Sequence, residues 1–568
     1  MALIRAAGRR LALVVDEDDR SLRVIDLDER REVSRTEVAG RPMSVLPLRD
    51  GRVVVSSAEP ARLVVLEPSD RALAGFEERC VVDGGAEPVA LAATPDESVI
   101  AVIDRWESRL TLLDGVTLRE RSRASIGRDP ISVIATADGA TMIVAHATGS
   151  QATAVAVETG AATRRSLTTR DERQVAVLPA GPGMTSNLPI VSRTIHVQSF
   201  ALVRTARSIL APGVSIDTGN GIRSISSGYG EDIPVMGTVT ALDPTTGARL
   251  HSQRRIPLGK RDCLMPRAAA LIGTRLHVAC IGLDTVVALD ATKQDPRVAE
   301  DEPARRRVGA GPTGLAVWND TGELVVLAAL DREVSIESPG PRHPRVVIPL
   351  GPPRTPPDED VALGRRIFLG EARKRLADDG RACASCHLDG RDDGLTWTTP
   401  DGQRQTPLLI DRLDHSAPFG WNGAMSTLDT HLRQTVGRLS GTGLDERERR
   451  AVIAYVSTLR APVTTKPSHD VARGAELFAS EAVGCASCHP GGGTDNLGHD
   501  VGGRVRGDRV FAIDTPSLRH LVRSAPYFHD GRYPTIDDVL THTDGAMGHT
   551  ASLSVEDRGA LVAYLRSL

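Results

Sequence analysis

At 568 residues the chain is too long for one ordinary core, so two or more domains are expected. Its 69 Lys and Arg nearly balance 73 Asp and Glu; the net charge of −4 excludes a basic nucleic-acid-binding surface as the dominant feature. No apolar run approaches the roughly 18 residues that span a bilayer, and seven cysteines exclude a disulfide scaffold.

The N-terminus carries basic residues, but the apolar run Leu11–Val15 is too short for the core of an export signal and Asp16-Glu-Asp-Asp follows at once. Residues 11–28 are expected to be folded strand, and an export signal is not present in this sequence. Residues 1–350 read as short strands between Gly, Pro and Asp turns. Related phrases begin at Pro42, Pro88, Pro130, Val175, Pro266 and Pro312, spaced by 46, 42, 45, 91 and 46 residues. The wide gap hides a further repeat, with an insertion between Met184 and Met236. A period of 40–45 residues with four strands each predicts a β-propeller of about seven blades, with eight allowed by extra strands in residues 1–40. Phrases such as Val24-Ile-Asp-Leu-Asp and Ala241-Leu-Asp-Pro-Thr-Thr-Gly resemble the YVTN/lactonase-like propellers, a loose resemblance over about 350 residues that bears on fold. Cys263 and Cys280 either pair or act as small buried hydrophobes, as Cys80 could.

Eight prolines fall within residues 338–358, read as a stiff linker whose last part, 351–358, separates the domains. Beyond it the period turns helical, at Val361–Arg375, Glu446–Leu459, Asp470–Ala479 and Val555–Leu568. This region is duplicated. Thr406-Pro-Leu-Leu, Ala417-Pro-Phe-Gly-Trp-Asn-Gly and Ala451-Val-Ile-Ala-Tyr-Val reappear as Thr515-Pro-Ser-Leu, Ala525-Pro-Tyr-Phe-His-Asp-Gly and Ala560-Leu-Val-Ala-Tyr-Leu. Two all-α cytochrome c domains are therefore expected, at 359–463 and 467–568.

Each copy holds one Cys-x-x-Cys-His motif: Cys383, Cys386, His387 and Cys485, Cys488, His489. The spacing lets two thiols bond the vinyl groups of one haem while the adjacent imidazole reaches iron. Two Cys-x-x-Cys pairs could instead build a Cys₄ zinc site, but a His directly follows each pair within a repeated helical domain. Two covalent haems c are expected, hence a periplasmic or cell-surface location. Met547, just before the last helix, is the candidate sixth ligand of the second haem, with His542 and His549 as rivals.

Gly364-Arg-Arg-Ile-Phe-Leu-Gly-Glu, both haem motifs and Ala525-Pro-Tyr-Phe-His-Asp-Gly resemble the bacterial di-haem cytochrome c peroxidase/MauG family over about 200 residues. The resemblance implies that Trp421 lies between the haems as an electron relay. It puts His431 at a distal position that the family fills with Gln, where an imidazole could act as a base or ligate iron. It also implies Ca²⁺ at Gln405, Ser524 and Pro526, the last two through backbone carbonyls. The family's distal Pro and Glu fall on Thr435 and Gly441, so its carboxylate is not evident, although Asp429, Asp445 or Glu446 could substitute. Gln403 stands where some peroxidases carry a removable His ligand. The implied function is a di-haem oxidoreductase that reduces peroxide or oxidises a partner, fed by a small donor such as a cytochrome or cupredoxin, with the propeller as a docking platform for a protein substrate. Two alternatives remain: a non-catalytic electron-transfer protein, and a propeller-based binding protein with redox-sensing haems.

Overall fold

A computed structural model describes the chain apart from residues 71–74, 175–189, 220–234, 251–255, 258–262, 293–304, 339–344, 415, 463–468, 505–507 and 509–511. Val175, one of the expected repeat starts, and Met184, one bound of the expected insertion, lie outside the described residues, as do Pro339, Pro341 and Pro344. The chain divides into two compact units. Met1–Thr168, His196–Ile216 and Val235–Asp358 form one; Thr169–Ile195, Asp217–Pro234 and Glu359–Leu568 form the other.

Seven antiparallel sheets make the propeller: residues 1–40 supply one of the seven, and the described strands from Thr169 to Pro257 form a single sheet, so the further repeat expected in the wide gap is not a separate blade. The first blade takes them whole, as Ala2–Ala6, Arg9–Asp16, Ser21–Asp26 and Arg31–Glu37. Pro42, Pro88, Pro130, Pro266 and Pro312 each lie at or beside the start of a blade's first strand, where a missing N–H is tolerated. The inner strands of the blades are the most buried; Ser21–Asp26, Val53–Ala58 and Val99–Asp104 are enclosed along their whole length. Such a strand presents apolar residues to both neighbouring blades. Val53 and Val55 join a core with Leu11, Leu13 and Leu22 of the first blade, whereas Val54 packs with Ile100 and Val102 of the third.

Val346–Pro349 is a strand that completes the seventh blade, inside the expected propeller bounds of 1–350 although the Pro-rich stretch from 338 was read as linker; Pro349 ends it at an edge where no further ladder is needed. That blade packs directly on the first: Val325, Leu327, Val334 and Ile336 share a core with Ala12, Val14, Ile25 and Leu27. Buried ion pairs reinforce the closure. Arg23 is fully enclosed and meets Asp16, Asp19 and Glu32, while Arg332 reaches across to Asp16 at 2.8 Å. Cys263 and Cys280, both fully buried, form a disulfide with Cα atoms 5.1 Å apart, and Cys80 is a free, exposed thiol.

The second unit contains α1 (Glu359–Leu369), α2 (Arg373–Leu376), α3 (Leu428–Arg438), α4 (Glu446–Val456), α5 (His469–Ala479), α6 (Ile536–His542) and α7 (Val555–Ser567). It is not all-α: Thr396–Thr399 pairs with Gly402–Gln405, and Gly498–His499 with Ile513–Asp514. The sequence duplication is a structural one. Against α4, a Cβ on Gly364 would lie 1.9 Å from Ala451 O; against α7, one on Gly474 would lie 2.0 Å from Ala560 O. Only glycine lets these helix pairs approach so closely. Beside each glycine an aromatic pair packs at 5.2 Å, Phe368 on Tyr455 and Phe478 on Tyr564. No helix among the described residues is long and apolar enough to cross a membrane.

Candidate functional site

Each Cys-x-x-Cys-His forms a single 3₁₀ turn, in which His387 N donates to Cys383 O at 2.9 Å and His489 N to Cys485 O at 3.0 Å. The turns then bend alike, and the loops Leu388–Gly390 and Pro490–Gly492 are held by Leu409 N to Gly390 O and Leu518 N to Gly492 O, both 2.9 Å. None of the four cysteines is in a disulfide, and they do not gather into a four-thiol group among the described residues. Cys488 does lie with Asp495 and His499, their ligand atoms within 4.8 Å of one another. A thioether to haem would remove that sulfur from the group.

The residues fit a haem. Burial pushes the thiols of Cys383 and Cys386 up to about 12. The carbonyls of Arg391 and Pro407 flank His387 as those of Gly493 and Pro516 flank His489. His489 Nδ1 lies 3.2 Å from Gly493 O, leaving Nε2 for a metal. His431 Nδ1 is buried without a hydrogen-bond partner, a cost that a bound group could relieve.

Thr427 caps α3 by accepting from Thr430 N at 3.2 Å, placing His431 in the first turn. Burial, then the charge of Arg438, lowers His431 to about 4. His387 is also lowered to about 4, first by burial and next by His431, so the two imidazoles stand within electrostatic reach. Phe419 lies 6.5 Å from the His431 ring. A Cβ on Gly420 would fall 2.5 Å from Met425 Cε and 3.6 Å from His431 Nδ1, so Met425, 4% exposed, belongs to the same pocket. The carboxylates that could substitute for the family's acid are otherwise engaged: Asp429 with Arg449 and Arg433, Asp445 as the cap of α4, Glu446 with Arg450. Gly441 packs against the carbonyls of Arg375 and Leu376, and Gln403 lies in the Gly402–Gln405 strand.

Trp421 sits where the two copies meet. Its Nε1 donates to Gln405 O at 3.0 Å and its carbonyl accepts from Asp514 N at 3.0 Å. Gln405 N in turn donates to His529 O at 2.8 Å. Trp421 corresponds to His529, and Gln405 to Asp514, in the duplicated segments, so each copy offers the other the same backbone bond. The two rings meet edge-on, 6.5 Å apart. His529, 2% exposed, donates from Nε2 to Asp508 at 3.1 Å, and Asp508 accepts from Arg404 at 2.7 Å. Near the first motif Asp393 is raised to about 7 by burial while accepting from Trp397 Nε1 at 2.9 Å. Met425, Asp393, Arg404 and Asp508 carried no recognised signal; the Asp508–Arg404 pair spans 104 residues.

Of the expected calcium residues, Gln405 and Pro526 both border Gly531: a Cβ there would lie 2.8 Å from the Gln405 amide nitrogen and 3.2 Å from the Pro526 ring. Ser524 ends a short 3₁₀ turn. On the second copy, the loop bearing Met547 is tied to the haem-binding turn. His549 N donates to Val483 O at 2.8 Å, and a Cβ on Gly548 would lie 3.5 Å from Cys485 Sγ. Met547 is half-buried, whereas His542 and His549 are exposed.

Pocket residues separate the copies. An offset of 108 residues relates Gly420, Met425 and His431 to Phe528, Tyr533 and Val539. The paired strands Phe419 with Met425 and Tyr527 with Tyr533 fix this correspondence. Gly420 has φ 86° and Phe528 keeps φ 78°, a left-handed backbone that a bulky side chain rarely adopts. The first pocket is thus lined by a glycine and an imidazole, the second filled by aromatic and aliphatic groups that pack on the second copy's core.

The cytochrome c family profile matches residues 471–568, which defines the class of that segment. The chain is 29% identical to the methylamine utilization protein MauG of Methylorubrum extorquens over 290 residues, covering 39% of this chain and 80% of that protein. It is 28% identical to hydrazine synthase subunit gamma of Kuenenia stuttgartiensis over 253 residues, 33% of this chain and 72% of that one. It is 24% identical to the cytochrome-c peroxidase IdrP2 of Pseudomonas sp. (strain SCT) over 312 residues, 39% and 84%. Together with the propeller these fit a MauG-like di-haem protein with an N-terminal propeller. They support covalently bound haem c and a haem-based oxidoreductase.

Proposed function

We propose that the chain is a di-haem c oxidoreductase that reduces peroxide, or uses it to oxidise a partner, in the copy spanning 359–463. The observation that carries this reading is the divergence of the two pockets: Gly420, Met425 and His431 in the first, Phe528, Tyr533 and Val539 in the second. Haem c, when bound, supplies a one-electron iron couple and, where a coordination position is open, a place for peroxide. His387 and His489 hold the irons. His431, neutral because its pKa lies near 4, can accept a proton from peroxide at ordinary pH. Met547 would offer the second haem a thioether, which would favour electron entry there. Trp421 carries electrons between the copies. Its Nε1–H is bonded to a carbonyl rather than to a base, so a transiently oxidised indole keeps its proton.

Gln405 and the carbonyls of Ser524 and Pro526 hold Ca²⁺ at the seam. The buried disulfide and covalent haem support export to an oxidising compartment, the periplasm or cell surface. There a small cytochrome or cupredoxin would donate electrons, and the propeller would dock a protein substrate.

The second reading, an electron carrier without peroxide chemistry, is favoured by the absence of a disengaged carboxylate among Asp429, Asp445 and Glu446, and would follow if His431 ligates iron. Absorption and EPR spectra of the oxidised and half-reduced protein separate the two. One high-spin haem that changes on adding peroxide, beside one low-spin His/Met haem, is the expected result. Two low-spin haems that ignore peroxide would sink the enzyme and leave the carrier.

A further inference from the structure

The ring contact between Trp421 and His529 does not end there. His529 lies 5.4 Å from Phe528, Phe528 lies 5.4 Å edge-on from Tyr533, and Tyr533 is stacked on His542 at 5.3 Å with an interplanar angle of 20°. Five rings therefore form an unbroken row from the seam between the copies to an exposed imidazole. Two of the five, Trp421 and Tyr533, can lose an electron at potentials a protein can reach; the others serve as closely packed medium between them. The remaining described tyrosines are differently placed: Tyr455 and Tyr564 pack against Phe368 and Phe478 inside the helix pairs, and Tyr527 is 8% exposed. Tyr533 is half-buried, and the Arg532 guanidinium lies over the Phe528 and Tyr533 rings at 5.1 and 6.0 Å. Arg532 is itself anchored on Asp530 at 2.9 Å. The row is thus fixed at both ends, and Phe528 accepts a left-handed backbone to stand in it.

We infer that Tyr533 is a redox-active relay at the protein surface, a second point of entry beside the second haem, through which a one-electron donor outside the protein reduces Trp421. This rests on the peroxide reading of the first copy. Reducing one hydrogen peroxide to two waters takes two electrons and two protons. One electron passes from Tyr533 to oxidised Trp421, and Tyr533 releases its phenolic proton to solvent as it becomes a neutral radical. The donor returns an electron to Tyr533 and water returns the proton. The second electron then follows the same route, and solvent supplies the two protons that peroxide takes up.

The test uses the full-length holoprotein with one equivalent of hydrogen peroxide, no donor, and the nitroso spin trap 2-methyl-2-nitrosopropane. Peptide mass spectrometry should find the adduct on Tyr533, and EPR should show an immobilised tyrosyl adduct that Tyr533→Phe lacks. Phe528→Leu leaves both oxidisable rings in place and should lower the Tyr533 label; Trp421→Phe should lose it. A label on Tyr533 undiminished in both variants would overturn the route, as would peroxide consumption that leaves Tyr533 unlabelled. A holoprotein that consumes no peroxide would instead fail the reading of the first pocket, and this route with it.

Discussion

In the fourth blade the imidazole of His146 is wholly enclosed, with Nδ1 2.9 Å from Arg128 O and Nε2 2.8 Å from Thr153 Oγ1. Burial lowers it to about 4 from the ordinary 6.5. Between those values the unfolded chain binds a proton that the folded one refuses, so stability falls as pH drops from 6.5 towards 4 and is unaffected by this group above 6.5. The full loss is on the order of 3 kcal/mol. Thermal melts across that range should show a shallower decline for His146→Gln than for the native protein; equal slopes would remove His146 from the account. At this scale the sequence is legible only where chemistry is local. Cys383, Cys386 and His387 declare themselves because three residues in one turn do one job. Arg404 and Asp508 do not, because a pair formed across 104 residues leaves no spacing to read.

Helix pairs carry the duplicated region. The contacts at Gly364 and Gly474 leave no room for a methyl group, since the opposing atom in each case is a backbone carbonyl. Gly474→Ala is expected to force α5 away from α7 and cost about 1–3 kcal/mol, and Gly364→Ala to do the same to α1 and α4. Denaturant titration of each variant checks this, and an unchanged midpoint would mean that the helices slide at no cost. The amphipathic helices α1, α4 and α5 were readable from their apolar spacing and α7 from its repeat of the α4 sequence, but α3 was not. Leu428–Arg438 is mostly polar and buries only Val436, so it has no apolar period; its Thr427 cap and its place beside the pocket hold it. The strand Val346–Pro349 was hidden for the opposite reason, Pro349 and the prolines around the strand masking an edge position in the seventh blade.

Over the whole molecule, the propeller's repeat was legible because each blade must bury two faces with the same short strands, whereas the way the ring closes was not. The first and last blades share a core and a set of buried ion pairs instead of exchanging a strand. Stability then depends on each blade holding its own shape. The Cys263–Cys280 disulfide closes a separation of 17 residues, a constraint of about 3 kcal/mol on the unfolded chain. Calorimetry with and without a phosphine reductant should show a lower propeller transition on reduction; coincident transitions would show that the sixth blade needs no staple. In the other unit, the exchange of Gln405 N to His529 O for Asp514 N to Trp421 O is an isologous contact, like meeting like about a twofold. That is how two identical subunits would associate. Carried within one chain, it frees the partners from identity: the joint is conserved by its backbone, and side chains standing just off it are at liberty to differ. Trp421 opposite His529, and Gly420 answered by Phe528, are what a homodimer could never have, since in it every change would be made twice.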